Sequence, residues 1–399
     1  MTFTIRPAVR EKIGLLFGVA GPSGSGKTMT ALLMAMSLVG TDGRLGVVDT
    51  ESGRALHYAP KPGEKADGVR TFDFLHLDLA PPFTPARYVE AIRALEDAGA
   101  TAIVIDSMSH EWAGEGGCSD IQMLEAERLA TDRDTGQVQE WRIDAVTAPA
   151  WKRPKLRHQR MMARLIQTRV HLIFCLRAQE KVRIQKKEKG KGTEVVPIGC
   201  QPICEKSFMF EMSGSFMLHP DRPGCPDYAL PKKLNAELQA IVPDGVVVGP
   251  DAGARLRAWA ETGADRPPPD KVAEGVRDLI ERIQDAKPAD LPALLLEANV
   301  KKQREWLKKN RTDLSQQLED AITAAQMPPP DDSTTTSPPG DPLQGLIAAI
   351  EATESNEDLD GILRGRAEAI RGLNDEQRQQ VETAVMAQRR GFADARSAA

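Results

Sequence analysis

For its first two thirds this sequence predicts an α/β fold with a mostly parallel sheet and a β-hairpin region at its C-terminal end. Small α-helical modules follow. Three observations carry that reading. Short apolar runs alternate with helix-length segments between residues 13 and 176. Those runs are apolar on both faces, as strands covered by helices on two sides require. Two proline-rich breaks, at 263–270 (GADRPPPD) and 328–342 (PPPDDSTTTSPPGDP), then interrupt the chain, and tandem prolines favour extended linkers. The expected organisation is an α/β domain at 1–262, a linker at 263–270, a helical module at 271–327, a second linker at 328–342 and a second module at 343–399.

The elements follow in order. Residues 13–20 form an apolar run that enters a glycine-rich turn, and 29–38 read as a buried helix. Strands are expected at 45–49, 74–77, 102–105 and 170–176, with an amphipathic helix at 85–98. Past Glu180 two short runs, 182–185 and 193–198, flank the loop KKEKGKG and suggest a hairpin. Residues 208–210 and 216–218 also look like strands, while 131–151 has no clear period. In the terminal modules, Val276, Leu279, Ile280 and Ile283 keep helical spacing, and Leu346, Ile347 and Ile350 repeat the last three. Asp290-Leu291 recurs as Asp358-Leu359, and a last helix is expected near 314–325 and again near 376–389. The pattern reads as a duplicated small helical unit.

Composition bounds the function. The chain has 399 residues, 41% hydrophobic and 27% charged, with a mean hydropathy of -0.36. That excludes a wholly disordered chain, and no apolar stretch approaches the ~20 residues needed to span a bilayer. No secretory leader pattern opens the sequence. Five cysteines, Cys118, Cys175, Cys200, Cys204 and Cys225, are an odd and sparse set. Reduced thiols and a cytoplasmic location are therefore expected.

The strongest chemical signal is Gly21-Pro22-Ser23-Gly24-Ser25-Gly26-Lys27-Thr28, which fits G-x-x-x-x-G-K-[ST] between a predicted strand and a predicted helix. Glycine permits the backbone angles and the close approach by which successive amides converge on phosphate oxygens. The helix start adds its positive end. Lys27 supplies a cation to the β- and γ-phosphates, and the Thr28 hydroxyl is a ligand for Mg²⁺. A metal site of this kind also needs a carboxylate at a neighbouring strand end, and Ala102-Ile-Val-Ile-Asp106 provides it. Two residues are candidates to orient an attacking water: Glu51, just past the second strand, and Glu111, five residues after Asp106. Glu51 is the first choice. His110-Glu111 does not extend to H-E-x-x-H, because Gly114 stands at the second histidine position. Arg177 and Gln179, at the end of the 170–176 run, are placed to touch a γ-phosphate.

Three stretches together, GPSGSGKT, VVDTE ending at Glu51, and IVIDSMS around Asp106, resemble the RecA-type recombinase core. The resemblance is closer to phage ATPases with a single RecA-like domain. It covers roughly residues 10–262. It implies a RecA-like fold, ATP and Mg²⁺ as ligands, and Glu51 acting on the attacking water. It further implies a role in DNA recombination, single-strand annealing or replication, in the bacterial host cytoplasm if phage-encoded. No N-terminal polymerisation segment is evident, and the trailing helical modules are not part of the bacterial recombinase pattern.

The net charge is -5, yet residues 145–179 contain no Asp or Glu. They hold Lys152, Arg153, Lys155, Arg157, Arg160, Arg164, Arg169 and Arg177. Lys181, Arg183, Lys186, Lys187, Lys189 and Lys191 follow against Glu180 and Glu188. Such segregation lets an acidic protein hold a polyanion, and single-stranded DNA is the expected partner. Aromatic residues are few here, so base stacking along the track has little support. Cys200, Cys204, His219 and Cys225 have the donor types of a zinc site but irregular spacing, and buried or incidental thiols are the preferred reading. The expected activity is a Mg-dependent ATPase acting on DNA, able to form homo-oligomers. The alternative is a nucleotide-switched interaction module with little turnover, its protein partner held by the helical modules. A small-molecule kinase is disfavoured, because no arginine-rich lid follows the phosphate-loop helix.

Overall fold

The computed structural model describes residues 7–40, 43–132, 135–186, 193–265, 270–286, 289–326, 350, 359, 363 and 375–397. The chain divides into two units, Met1–Pro267 and Pro268–Ala399. No helix among the described residues is long and apolar enough to cross a membrane.

The first unit is built on a seven-stranded sheet. Its strands are β1 (Leu16–Gly21), β2 (Arg44–Asp49), β3 (Leu75–Asp78), β4 (Ala100–Asp106), β5 (His171–Lys186), β6 (Thr193–Pro202) and β7 (Gly214–Met217). The order is β3-β2-β4-β5-β1-β7, all parallel, with β6 added antiparallel to β5. The doubly apolar runs have the expected cause. Leu15, Phe17 and Val19 face one layer, formed by α1 (Lys27–Val39), α8 (Ala236–Ile241) and α9 (Pro250–Glu261). Leu16 and Ala20, with Ile103, Ile105, Leu172 and Phe174, face the other, formed by α2 (Pro85–Asp97) and α6 (Lys152–Leu165). Each fully buried side chain of this kind contributes about 1.5–3 kcal/mol. The two-sided burial therefore stabilises the sheet from both faces.

Strand β5 has two roles. His171–Arg177 pairs with β4 and β1 inside the parallel sheet, whereas Ala178–Lys186 pairs with β6 as a hairpin that extends past the sheet's C-terminal edge. Between β4 and β5 lie α3 (Ser109–Ala113), α4 (Cys118–Ala130), α5 (Glu140–Ala150) and α6. The stretch without a clear period thus contains α5, whose apolar and polar residues do not segregate by face.

One expectation is corrected. Residues 208–210, expected as a strand, lie in the helical turn α7 (Phe208–Glu211). Three adjacent apolar residues satisfy one helical turn as well as a strand, and packing decides between them. Phe208 sits edge-on to Phe174 at 5.4 Å and tilted against His158 at 6.0 Å.

In the second unit, α10 (Lys271–Asp285), α11 (Leu291–Leu296), α12 (Ala298–Asn310) and α13 (Thr312–Gln326) enclose Val276, Leu279, Ile283, Val300, Leu307, Leu314, Leu318 and Ile322. Asp270 caps α10 by accepting from the amides of Val272 and Ala273 at 3.1 and 3.0 Å. A further helix, α14 (Asp375–Ser397), covers the region expected at 376–389. The linker at 328–342 and most of the second expected module lie outside the described residues.

Candidate functional site

Parallel strands in aligned register bring their C-terminal ends to one edge. Gly21 is level with Arg177, Asp49 with Asp106, and Asp106 with Cys175. The segments that leave this edge carry the phosphate loop, Glu51, Asp106 and Arg177.

The loop after β1 turns tightly. Ser25 N donates to Pro22 O at 3.3 Å, and the buried Ser25 hydroxyl donates to the same oxygen at 2.9 Å. Gly24 and Gly26 have φ of 82° and 85°, the left-handed region that a side chain disfavours. A Cβ at Gly24 would meet nothing within 4 Å, so that side of the loop is an open cradle. At Gly26 it would lie 3.0 Å from Gly224 N, on the loop after β7 that donates to Ser25 O at 2.9 Å. Gly26 caps α1 without any side-chain hydrogen bond, leaving the first-turn amides to an external acceptor. Lys27 Nζ donates to Pro22 O at 2.7 Å, and burial pushes its pKa down against the pull of the Asp106 and Glu51 carboxylates.

The Thr28 hydroxyl donates to Asp106 Oδ2 at 2.5 Å across 78 residues of chain. Burial drives Asp106 up to about 6, opposed by Thr28 and Lys27 and reinforced by Glu51 and Asp49. Hydroxyl and carboxylate together are a hard oxygen donor pair, which fits a divalent cation. The open amides and Lys27 fit phosphate oxygens.

Glu51 sits at the same edge. Its Oε1 accepts from Arg177 Nε at 3.1 Å and from the Arg177 Nη2 at 2.7 Å, while Oε2 accepts from Arg54 at 2.5 Å. Burial raises the Glu51 pKa, but the two guanidinium groups outweigh it and hold the carboxyl below its ordinary value. Glu111, the other candidate, is turned away. It is 1% exposed, accepts from Cys118 Sγ at 3.2 Å and lies 3.1 Å from His158 Nδ1, inside the packing between α3, α4 and α6.

Several residues at this edge were not singled out in the sequence. Asp49 is buried and accepts from Glu51 N at 2.7 Å and Ala55 N at 2.9 Å, with His76 Nε2 at 3.2 Å. It shapes the turn that presents Glu51. Thr50 Oγ1 accepts from Ser107 N at 2.8 Å, and Thr50 N donates to Asp106 O at 2.9 Å, tying β2 to β4. Tyr88 donates to Ser107 O at 3.0 Å. Ser109 Oγ accepts from Arg177 N at 2.9 Å. The acid-hydroxyl sequence at a strand end was the available signal for Asp49 and Thr50; Tyr88 and Ser109 carry none.

The remaining candidates are placed differently. Ser23 is exposed beside Gly24. Gln179 is exposed on the hairpin, level with Gln201 and two residues past Arg177. Lys181, Arg183 and Lys186 lie on the antiparallel part of β5, whereas Lys187, Lys189 and Lys191 fall outside the described residues. On α6, Lys152, Arg153 and Lys155 are exposed, but Arg164 is buried and Arg153 pairs with Glu125 at 3.3 Å. The basic stretch is therefore partly built into the fold. His219 Nδ1 accepts from Asp221 N at 3.0 Å and Cys225 is buried. No group of three or more His, Cys, Asp or Glu side chains that could hold a metal ion occurs among the described residues.

No protein-family model matches the chain, and no curated protein matches it. Among solved structures, the crystal structure of the RadB recombinase aligns with 54% of this chain and 80% of its own, at 17% identity and a TM-score of 0.27.

Proposed function

We propose that the first unit binds and hydrolyses ATP at the strand-tip site, with the hydrolysis coupled to DNA. The observation that carries this reading is the 2.5 Å contact between Thr28 and Asp106, beside an open glycine cradle and Lys27. The loop amides and Lys27 hold the phosphate oxygens and stabilise charge that develops on the transferred phosphoryl group. Thr28 and Asp106 would hold Mg²⁺, which when bound would neutralise phosphate charge. Glu51 orients the attacking water, and Arg177 answers to the γ-phosphate. Burial of Glu111 against His158 and Cys118 supports Glu51 over Glu111 in that role. Lys181, Arg183, Lys186, Lys187, Lys189 and Lys191 serve single-stranded DNA. The resemblance of GPSGSGKT, VVDTE and IVIDSMS to the single-domain phage ATPases supports recombination, annealing or replication as the setting.

The test is turnover and binding in two variants. Lys27→Ala is expected to abolish hydrolysis, and Glu51→Gln to retain ATP binding while losing hydrolysis. Retained hydrolysis in Glu51→Gln would refute the assignment of the water-orienting role. Stimulation of the wild-type rate by single-stranded DNA, fading with salt, is expected.

A second reading has one observation in its favour. Both oxygens of Glu51 are engaged by arginines, which disfavours activation of water. A chain that uses ATP only to order a binding surface would keep that arrangement. It would show negligible turnover with or without DNA.

A further inference from the structure

We infer that the outer face of α12 in the second unit is a contact site for single-stranded nucleic acid, centred on Trp306. The helix AlaAsnValLysLysGlnArgGluTrpLeuLysLysAsn turns Val300 and Leu307 into the core of its unit. That register sends Lys301, Lys302, Glu305, Trp306, Lys308 and Lys309 outward, all exposed. Lys302 and Lys309 lie one turn before and one turn after Trp306, so they border the indole on the same face. Seven residues at a rise of about 1.5 Å set their backbones about 10 Å apart along the axis.

Two features separate this face from an ordinary solvated one. The first is its unbalanced charge. Arg304 is taken up by Glu319 at 2.8 Å and Lys308 approaches the same carboxylate at 3.9 Å. Lys301, Lys302 and Lys309 make no ion pair with any described residue. Only Glu305 offsets them on this face. In a chain of net charge -5, a single helix thus presents a concentrated cationic surface. The second feature is the indole, 48% exposed in the middle of that surface.

An aromatic plane bordered by ammonium groups matches a nucleotide with an unpaired base, which stacks while its flanking phosphates meet the lysines. A base inside a duplex offers no free face to the indole. An acidic peptide would use the lysines but leaves the indole without a role, so the aromatic residue decides between the two. These residues belong to the second unit, and the inference does not depend on the ATPase reading.

The test uses the full chain and a fluorescently labelled oligothymidylate, with anisotropy measured across a salt series. Trp306→Ala is expected to weaken binding at least about fivefold, the low end of what one stacked base contributes. Trp306→Phe is expected to restore most of the loss. Lys302→Ala with Lys309→Ala is expected to make the log–log salt slope shallower by about 1.4, two single-strand phosphates at about 0.7 each. ATP turnover without DNA is expected to be the same in all these variants. Absence of turnover in the wild type both with and without DNA would end the ATPase reading and leave this one standing. Unchanged affinity and slope in the variants would overturn the inference. So would displacement of the oligonucleotide by polyglutamate together with wild-type affinity in Trp306→Ala, which would mark the face as a site for acidic peptides.

Discussion

Asp106 provides a quantitative test of the site's electrostatics. Its carboxyl is buried, and burial raises its pKa from the ordinary 3.8 to about 6. The folded chain therefore binds this proton more tightly than the unfolded chain does. The resulting stability is fully present below about pH 4 and is lost as pH rises through about 6. The gap between 3.8 and about 6 corresponds to about 3 kcal/mol, at about 1.36 kcal/mol per tenfold change in proton affinity. Above pH 6 the ionised carboxylate therefore costs the nucleotide-free chain about 3 kcal/mol. Asp106→Asn removes the charge and keeps an oxygen that accepts from the Thr28 hydroxyl. The variant is expected to exceed the wild type in stability by about 3 kcal/mol at pH 8, and the gain is expected to vanish near pH 4. Urea unfolding followed by tryptophan fluorescence is a suitable assay, because Trp112, Trp141, Trp151 and Trp259 all lie in the α/β unit. Mg-ATP should invert the order at pH 8, since only the wild type keeps the carboxylate proposed to hold the cation. A pH-independent difference, or a less stable variant at pH 8 without ligand, would refute the reasoning.

Three further outcomes are expected. Gly26→Ala places a side chain at φ 85° with its Cβ 3.0 Å from Gly224 N, so calorimetry should show a loss of at least about 1–2 kcal/mol and weaker ATP binding. Glu111→Ala leaves His158 and Cys118 without the carboxylate they share in a closed interior, and equilibrium unfolding should show a loss of about 1–3 kcal/mol. Arg177→Met removes one of the two partners that hold the Glu51 carboxyl below its ordinary value. The wild type should therefore be the more stable of the two at neutral pH. That advantage should shrink in acid, as the pH falls through the folded-state pKa of Glu51.

The parts of this protein that can be read along the chain are those whose chemistry is local. Gly21 to Thr28 hold a complete anion cradle in eight consecutive residues, because backbone angle, amide direction and helix start are all set by near neighbours. Asp106 stands out for a related reason: an acid directly after Ile103-Val104-Ile105 marks the end of a buried strand. The α/β class follows from runs apolar on both faces, which only a covered sheet can bury.

Contacts across long separations are not written in that way. Glu51 and Arg177 are 126 residues apart, and only the strand order β2-β4-β5 makes them neighbours, so the arginine hold on Glu51 has no sequence signature. The sequence prefers Glu51 to Glu111 but does not show that Glu111 is enclosed beside His158 and Cys118, because burial is a property of packed helices. The same holds for Phe208, whose neighbours Phe174 and His158 choose a helical turn where the local pattern suits a strand. Sequence determined which groups could do chemistry, because propensity and spacing act over a few residues. Tertiary packing decided which of them meet, because proximity between distant segments is created only when the sheet closes and excludes water.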